Sequence, residues 1–189
     1  MKNDERPNNF EDIDHNNFVS ESYWDQVLAQ VADIISPIDI IYIKQTMIIG
    51  INHNIGFAEN DLNQKLLQIQ DFKDDLEELY LQLNKEVRND LEGKYAEIVI
   101  NIGLSSADWW INNPEAIITG DVNDPDIAAS GHVGLADAAG GVLGVVGGLI
   151  TTGTNPEATV EDYFINAIYG GIVGGFTTCL LYTSPSPRD

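Results

Sequence analysis

The sequence predicts a mainly α-helical protein, in which an acidic helical region with a long amphipathic helix precedes a C-terminal glycine-rich helical hairpin. Three observations predict this fold. Apolar residues recur at helical spacing over 61–91, with acidic residues on the opposite face. Twelve of the seventeen glycines lie between Gly131 and Gly175, inside two largely apolar runs. Acidic residues outnumber basic residues by 30 to 9.

The first nineteen residues predict an arm rather than a folded element. Residues 1–19 are rich in Asn, Asp and Glu with few apolar side chains, which is typical of a flexible acidic arm. Residues 22–25 have the form of a capping box, and apolar positions then follow helical spacing from Trp24 to Ile35. We expect Pro37 to end this helix.

The isoleucine-rich segment 38–51 suits a buried strand by its β-branched content and a buried helix by its length. We favour a helix because its neighbours are helical. His53 and Asn54 follow, between two glycines, and are the polar candidates for fixing the turn before the long helix. At about 1.5 Å per residue, the helix predicted over 61–91 is about 45 Å long.

The segment that follows the long helix is less regular. Residues 94–104 suit either a helix or one short strand. Residues 105–108 have the form of a capping box and predict a second, short helix that Pro114 limits. Residues 121–130 predict a loop. These elements complete the predicted acidic helical region, residues 20–130.

The predicted hairpin, within residues 131–178, consists of helices over 134–152 and 160–176 joined by a turn at 153–157. Thr159 and Asp162 have capping-box spacing at the start of the second helix. Small residues recur every fourth position, and glycine costs about 1 kcal/mol relative to alanine inside a helix. Close backbone approach is the usual physical reason for such a ladder. The candidate helix-packing residues are Gly140, Gly144, Gly148, Gly171 and Gly175.

The last eleven residues, 179–189, read C-L-L-Y-T-S-P-S-P-R-D. This string resembles the translated read-through of a transposon mosaic end and sequencing adapter. The resemblance implies that the natural sequence stops near Thr178 and that the hairpin is truncated, so this segment is left out of the fold prediction. It contains the only cysteine, Cys179, and one residue of each charge, so the net charge of −21 is unchanged without it.

Composition and motifs exclude several functions. A net charge of −21 argues against nucleic-acid binding. His15, His53 and His132 have no metal-ligand spacing, and the acidic segment 121–126 lacks the glycine and glutamate of a calcium loop. The glycine runs lack the endings of a phosphate-binding loop, and no nucleophile motif is present. We therefore predict a non-enzymatic protein with no catalytic residue, no cofactor and no metal site.

The segment Asp137-Ala-Ala-Gly-Gly, with the ladder that follows it, resembles glycine-zipper proteins of bacteria. Gly50-x-x-His53-Asn54 ahead of a long helix resembles uncharacterised bacterial proteins that carry such ladders. We expect a hairpin that mediates self-association, packs on another helix, or inserts conditionally into a membrane. The alternative is a soluble cytoplasmic helical protein whose glycines serve only tight core packing. Because residues 1–20 carry no secretory signal, we expect cytoplasmic synthesis, with membrane association or signal-independent export left open.

Overall fold

The computed structural model describes residues 20–53, 62–89, 92–115 and 133–183, and within α-helices its side chains are described except at 133–137 and 175–183. These residues form helices and no strand, which confirms the predicted mainly α fold. The helices are α1 (Glu21–Ala29), α2 (Pro37–Asn52), α3 (Leu62–Glu86), α4 (Lys94–Asn112), α5 (Val133–Gly153) and α6 (Val160–Thr183). The predicted arm over 1–19 and loop over 121–130 lie outside the described residues.

The first two helices begin and end differently from the prediction. Helix α1 begins at Glu21 after the N-cap Ser20, two residues ahead of the predicted cap, and ends at Ala29. Pro37 does not end it but opens α2, where a proline fits because its missing N–H would have no partner in the first turn. The isoleucine-rich segment is helical, as favoured, since Ser36 and Asp39 form a capping box at its start.

Helix α4 is one continuous element, so the predicted separate helix after Ser105 is wrong, and so is the strand alternative for 94–104. The buried positions of α4 continue through the predicted cap without a break in spacing. They are Ala96, Val99, Ile100, Gly103, Ala107 and Trp110. Burial of this continuous face outweighs a local capping pattern. The helix ends before Pro114, as predicted.

Helix α5 contacts α1, α2, α4 and α6, and its buried face joins a core to which every other helix contributes. That face comprises Ala138, Ala139, Val142, Val145, Val146 and Leu149. The acidic helical region and the hairpin are therefore built around a single core.

A buried carboxylate connects the starts of α2 and α4. Asp39 is fully buried, and one of its oxygens, Oδ2, accepts hydrogen bonds from the hydroxyl and the backbone N–H of Ser36, at 2.6 and 3.3 Å. The other oxygen, Oδ1, accepts from the backbone N–H groups of Tyr95 and Ala96, both at 2.9 Å. Since Gly93, the N-cap of α4, has no side chain, Asp39 supplies the missing cap from another helix.

The predicted capping box of α6 is also confirmed. The backbone N–H and the hydroxyl of Thr159 both donate to Asp162 Oδ2 at 2.8 Å, and the Asp162 N–H donates to the Thr159 hydroxyl at 3.2 Å. These donors favour the ionised carboxylate, so they lower the pKa of Asp162.

We expect Asp39→Ala to destabilise the protein by about 2–4 kcal/mol, because it removes the cap of α4 and the aspartate half of the α2 capping box, and leaves buried N–H groups without an acceptor. Asp39→Asn retains one acceptor oxygen and should lie between this variant and the wild type. The measurement is urea unfolding followed by circular dichroism. Asp33→Ala, at an exposed position between α1 and α2, is the control. Equal unfolding midpoints for the two alanine variants would contradict the double-cap assignment.

The lowered pKa of Asp162 predicts a pH-dependent contribution to stability. A group whose pKa is lower in the folded state stabilises at pH values above its ordinary pKa, and this contribution disappears as the pH falls through the folded value. The difference in melting temperature between wild type and Asp162→Ala should therefore be present at pH 7 and shrink at pH 2.5. The neighbouring exposed Glu161→Ala makes no such cap and is the comparison. A difference that grows in acid would contradict this assignment.

Candidate functional site: the glycine-lined hairpin

Helices α5 and α6 run antiparallel and meet backbone to backbone. A methyl group at Gly144 would overlap the backbone carbonyl of Gly170, and one at Gly148 would overlap the carbonyl of Asn166. A methyl group at Gly174 would likewise overlap the carbonyl of Gly140. Each step of four residues along α5 is thus matched by a step of four back along α6. No residue larger than glycine fits at these crossing points without moving a helix.

A polar contact closes the ladder near the turn. Thr152 is buried, and its hydroxyl donates to the Gly148 carbonyl one helical turn earlier at 2.8 Å. The Asn166 side-chain amide donates to the same hydroxyl oxygen at 2.9 Å. The buried hydroxyl therefore has a donor and an acceptor as partners, and an interhelical hydrogen bond joins the two helices beside their apolar contact.

The α6 side of the ladder is shifted by one residue from the predicted stripe. Gly170 and Gly174 meet the α5 backbone, whereas Gly171 faces side chains of two helices. A Cβ atom at Gly171 would lie 2.9 Å from Ile102 Cδ1 of α4 and 3.0 Å from Val145 Cγ2 of α5. Gly171 thus fits α6 against the α4–α5 pair. Gly175 lies within α6, but its surroundings are outside the described residues.

The glycines of α5 are not equivalent. A Cβ atom at Gly141 would lie 3.1 Å from Ile102 Cγ2, so this position faces α4. A Cβ atom at Gly147 would meet nothing within 4 Å. Gly147 therefore has no packing reason to be glycine in this structure, and it provides an internal control for the ladder.

The outer face of α6 is apolar and exposed. Directly opposite the fully buried Ala167, Ile165 and Tyr169 are 54% and 69% exposed, and Ile172 is 48% exposed. We call these three residues the outer stripe. The charged residues of α6 nearest to it, Glu161 and Asp162, lie in the first turn, and none follows within the helix. A largely apolar helix is normally covered by neighbouring elements on most of its surface.

The polar candidate His53 is the C-cap of α2 and contacts α3. Its Nε2 lies 2.6 Å from Asp75 Oδ2, and its ring meets the Phe72 ring edge-on at 6.2 Å between centroids. These contacts attach the end of α2 to α3, which is a structural role. The other polar candidate, Asn54, lies outside the described residues, as do His15, His132 and the acidic segment 121–126.

Among the described residues, no three or more His, Cys, Asp or Glu side chains are grouped so that they could hold a metal ion. No helix in the described part of the chain combines the length and hydropathy needed to cross a bilayer. No family model, curated protein or solved structure matches this chain. The resemblance to bacterial glycine-zipper proteins therefore stays a prediction.

We expect Gly144→Ala and Gly147→Ala to change stability in opposite directions. Alanine at 144 forces the α5 and α6 backbones apart and should cost about 1–3 kcal/mol, as overpacking does. Alanine at 147 meets open space and should stabilise the helix by about 0.5–1 kcal/mol. Chemical denaturation of both variants measures the difference. Two stabilised variants would show that α5 and α6 are not in backbone contact.

Proposed function

We propose that this chain is a non-enzymatic protein that associates with itself through its C-terminal hairpin. The observation that carries the proposal is the outer stripe, in which Ile165, Tyr169 and Ile172 are about half or more exposed on a helix that has no charged residue after its first turn. Contiguous exposed apolar surface of this kind marks interaction sites in soluble and membrane-associated proteins alike. Tyrosine is also enriched where protein interfaces concentrate their binding energy.

The glycine ladder supports the proposal indirectly. Gly144 and Gly170 bring the α5 and α6 backbones together, and this fixes which side of α6 is turned inward. The outer stripe is then held on a rigid support, so little ordering entropy is lost when a partner binds. In this proposal the ladder builds the hairpin, and the opposite face of α6 makes the intermolecular contact.

Charge favours a protein partner over a membrane surface. After Lys94 the next basic residue is Arg188, while ten acidic residues lie between them. Anionic lipid surfaces attract segments rich in Lys and Arg, and they repel an acidic segment such as this one. An anionic membrane surface is therefore a poorer partner for the hairpin than a protein surface.

A second candidate function follows from a different observation. The contacts of Gly144, Gly148 and Gly174 described above are all made within one chain. This favours a protein whose glycines serve only the packing of its own core. In that case the purified protein is a monomer, and the outer stripe has no partner of its own kind.

Sedimentation velocity over 5–500 µM protein, under reducing conditions, tests the proposal. We expect wild type to form larger species as its concentration rises, and Ile172→Glu to remain monomeric because burying an unpaired carboxylate is costly. Leu81→Glu is the matched control, since Leu81 is an apolar α3 residue with 58% exposure outside the hairpin. If wild type is monomeric at every concentration, self-association is ruled out and the second candidate function remains. Flotation with neutral lipid vesicles but no self-association would favour membrane insertion.

A further inference from the structure

We infer that α6 is a detachable element, which leaves α5 and returns to it as a unit while α1 to α5 stay folded. The undocking does not depend on the proposed self-association. Helix α6 packs on α5 and, to a smaller extent, on α4. Helix α5 packs on α1, α2 and α4 as well as on α6, so it keeps several neighbours when α6 leaves.

The α6 side of this contact buries small residues. Within 160–174, Ala167 and Gly171 are buried, and every larger side chain is at least partly exposed. Tyr163, Phe164 and Ile168 are half-buried. The much shorter α1, by contrast, buries a tryptophan, a valine and a leucine. Because the free energy gained on packing is roughly proportional to the apolar area removed from water, α6 gains little from docking for its length.

The α5 side of the contact is also poor in large side chains. Gly144 and Gly148 lie against the α6 backbone, whereas the large buried residues of α5 lie elsewhere on the helix. At 3.6 residues per turn, Val142, Val146 and Leu149 lie about 140–160° around the helix from Gly144. These three residues therefore pack on the side of α5 that faces away from α6. The hydrophobic core of α1 to α5 is retained when α6 leaves.

The start of α6 is held by its own residues and by the turn before it. Thr159 and Asp162 cap each other, and the Glu157 N–H donates to Asn155 Oδ1 at 3.1 Å within the turn. These hydrogen bonds involve no other helix, so α6 keeps its cap in the open form. Helix α4 differs, because its first turn would lose the acceptor Asp39 if it left α2. Of these two helix starts, that of α6 is the one built to survive undocking.

Undocking breaks a polar contact and uncovers a limited apolar surface. The hydrogen bond from Asn166 to Thr152 is lost, and water then binds both groups, so the net cost is modest. The uncovered surface contains the glycine-lined side of α5 together with Ile102 and Val145, which lie against Gly171 in the docked form. Segments with few buried apolar contacts open at a lower free energy than the whole protein. The docked form predominates, and the open form is a minor state in equilibrium with it.

Native-state amide hydrogen exchange, followed residue by residue with NMR, tests the undocking. We expect the amides of 164–171 to share one protection factor, about tenfold or more below that of the slowest amides of 142–149. The exchange of the α6 amides should rise weakly with urea because undocking exposes little surface, whereas that of the α5 amides should rise steeply. A protection factor that falls gradually towards one end of α6 would indicate fraying and would contradict undocking as a unit.

Two variants distinguish undocking from unfolding of the whole chain. Leu76→Ala leaves a cavity beside α3, which packs on α2 and α4. The docked and open forms lose the same contact, so amide exchange should rise about tenfold or more in α5 and stay unchanged in α6. Gly170→Ala overpacks the docked form alone, since its methyl group meets the Gly144 carbonyl, and should raise α6 exchange about tenfold. Gly147→Ala faces open space and is its matched control.

Every measurement uses protein below the concentration at which sedimentation detects larger species, so its outcome does not bear on the proposed function. If Leu76→Ala raises amide exchange equally in α5 and α6, then α6 opens only with the whole chain and the inference is overturned. A wild type in which α6 exchanges no faster than α5 overturns it as well. If Leu76→Ala does not fold, Ile43→Val makes a smaller cavity at a buried α2 position and serves the same comparison.

Discussion

The direct contact between the α5 and α6 backbones is the constraint on which the rest of the structure depends. It requires Gly144 and Gly170 to lack side chains, and each glycine inside a helix costs about 1 kcal/mol relative to alanine. The cost is offset because the two helices meet along this line without large side chains between them. Val142, Val146 and Leu149 of α5 are then buried in the hydrophobic core. The same contact orients α6, so the position of the outer stripe is also a consequence of two missing side chains.

Much of this fold can be predicted from spacing, and the errors have definite physical causes. The ladder of α5 follows from its period of four alone. In α6, however, Gly170 and Gly171 are adjacent, and so are Gly174 and Gly175, so the sequence contains two stripes about 100° apart on the helix. Spacing cannot choose between them. The choice is made by Ile102 of α4, which lies against Gly171 and leaves Gly170 for α5. That contact joins residues almost seventy positions apart and has no signature in the local sequence.

The capping patterns likewise predict the caps made by neighbouring residues and miss the effects of tertiary packing. Thr159 and Asp162 form the box that their spacing predicts, because nothing else competes for these exposed residues. Ser105 has an equally good pattern yet lies inside α4, where buried Ala107 and Trp110 continue the apolar face. The pattern around Ser36 could have located the start of α2. Sequence spacing could not predict that Asp39 also caps α4, because the backbone N–H groups that it accepts from there lie more than fifty residues away.

Asp39 has a consequence for the order in which the chain folds. Helix α2 can form its first turn early, because Ser36 caps it from three residues away. Helix α4 has only Gly93 at its start and borrows its acceptor from α2, so its first turn is not fully capped until the two helices have met. The closure of a loop of more than fifty residues is thereby tied to the nucleation of a helix, and both are achieved in one step. Partly folded states in which α4 is fully formed but not packed against α2 are therefore disfavoured. This makes unfolding more nearly a two-state transition.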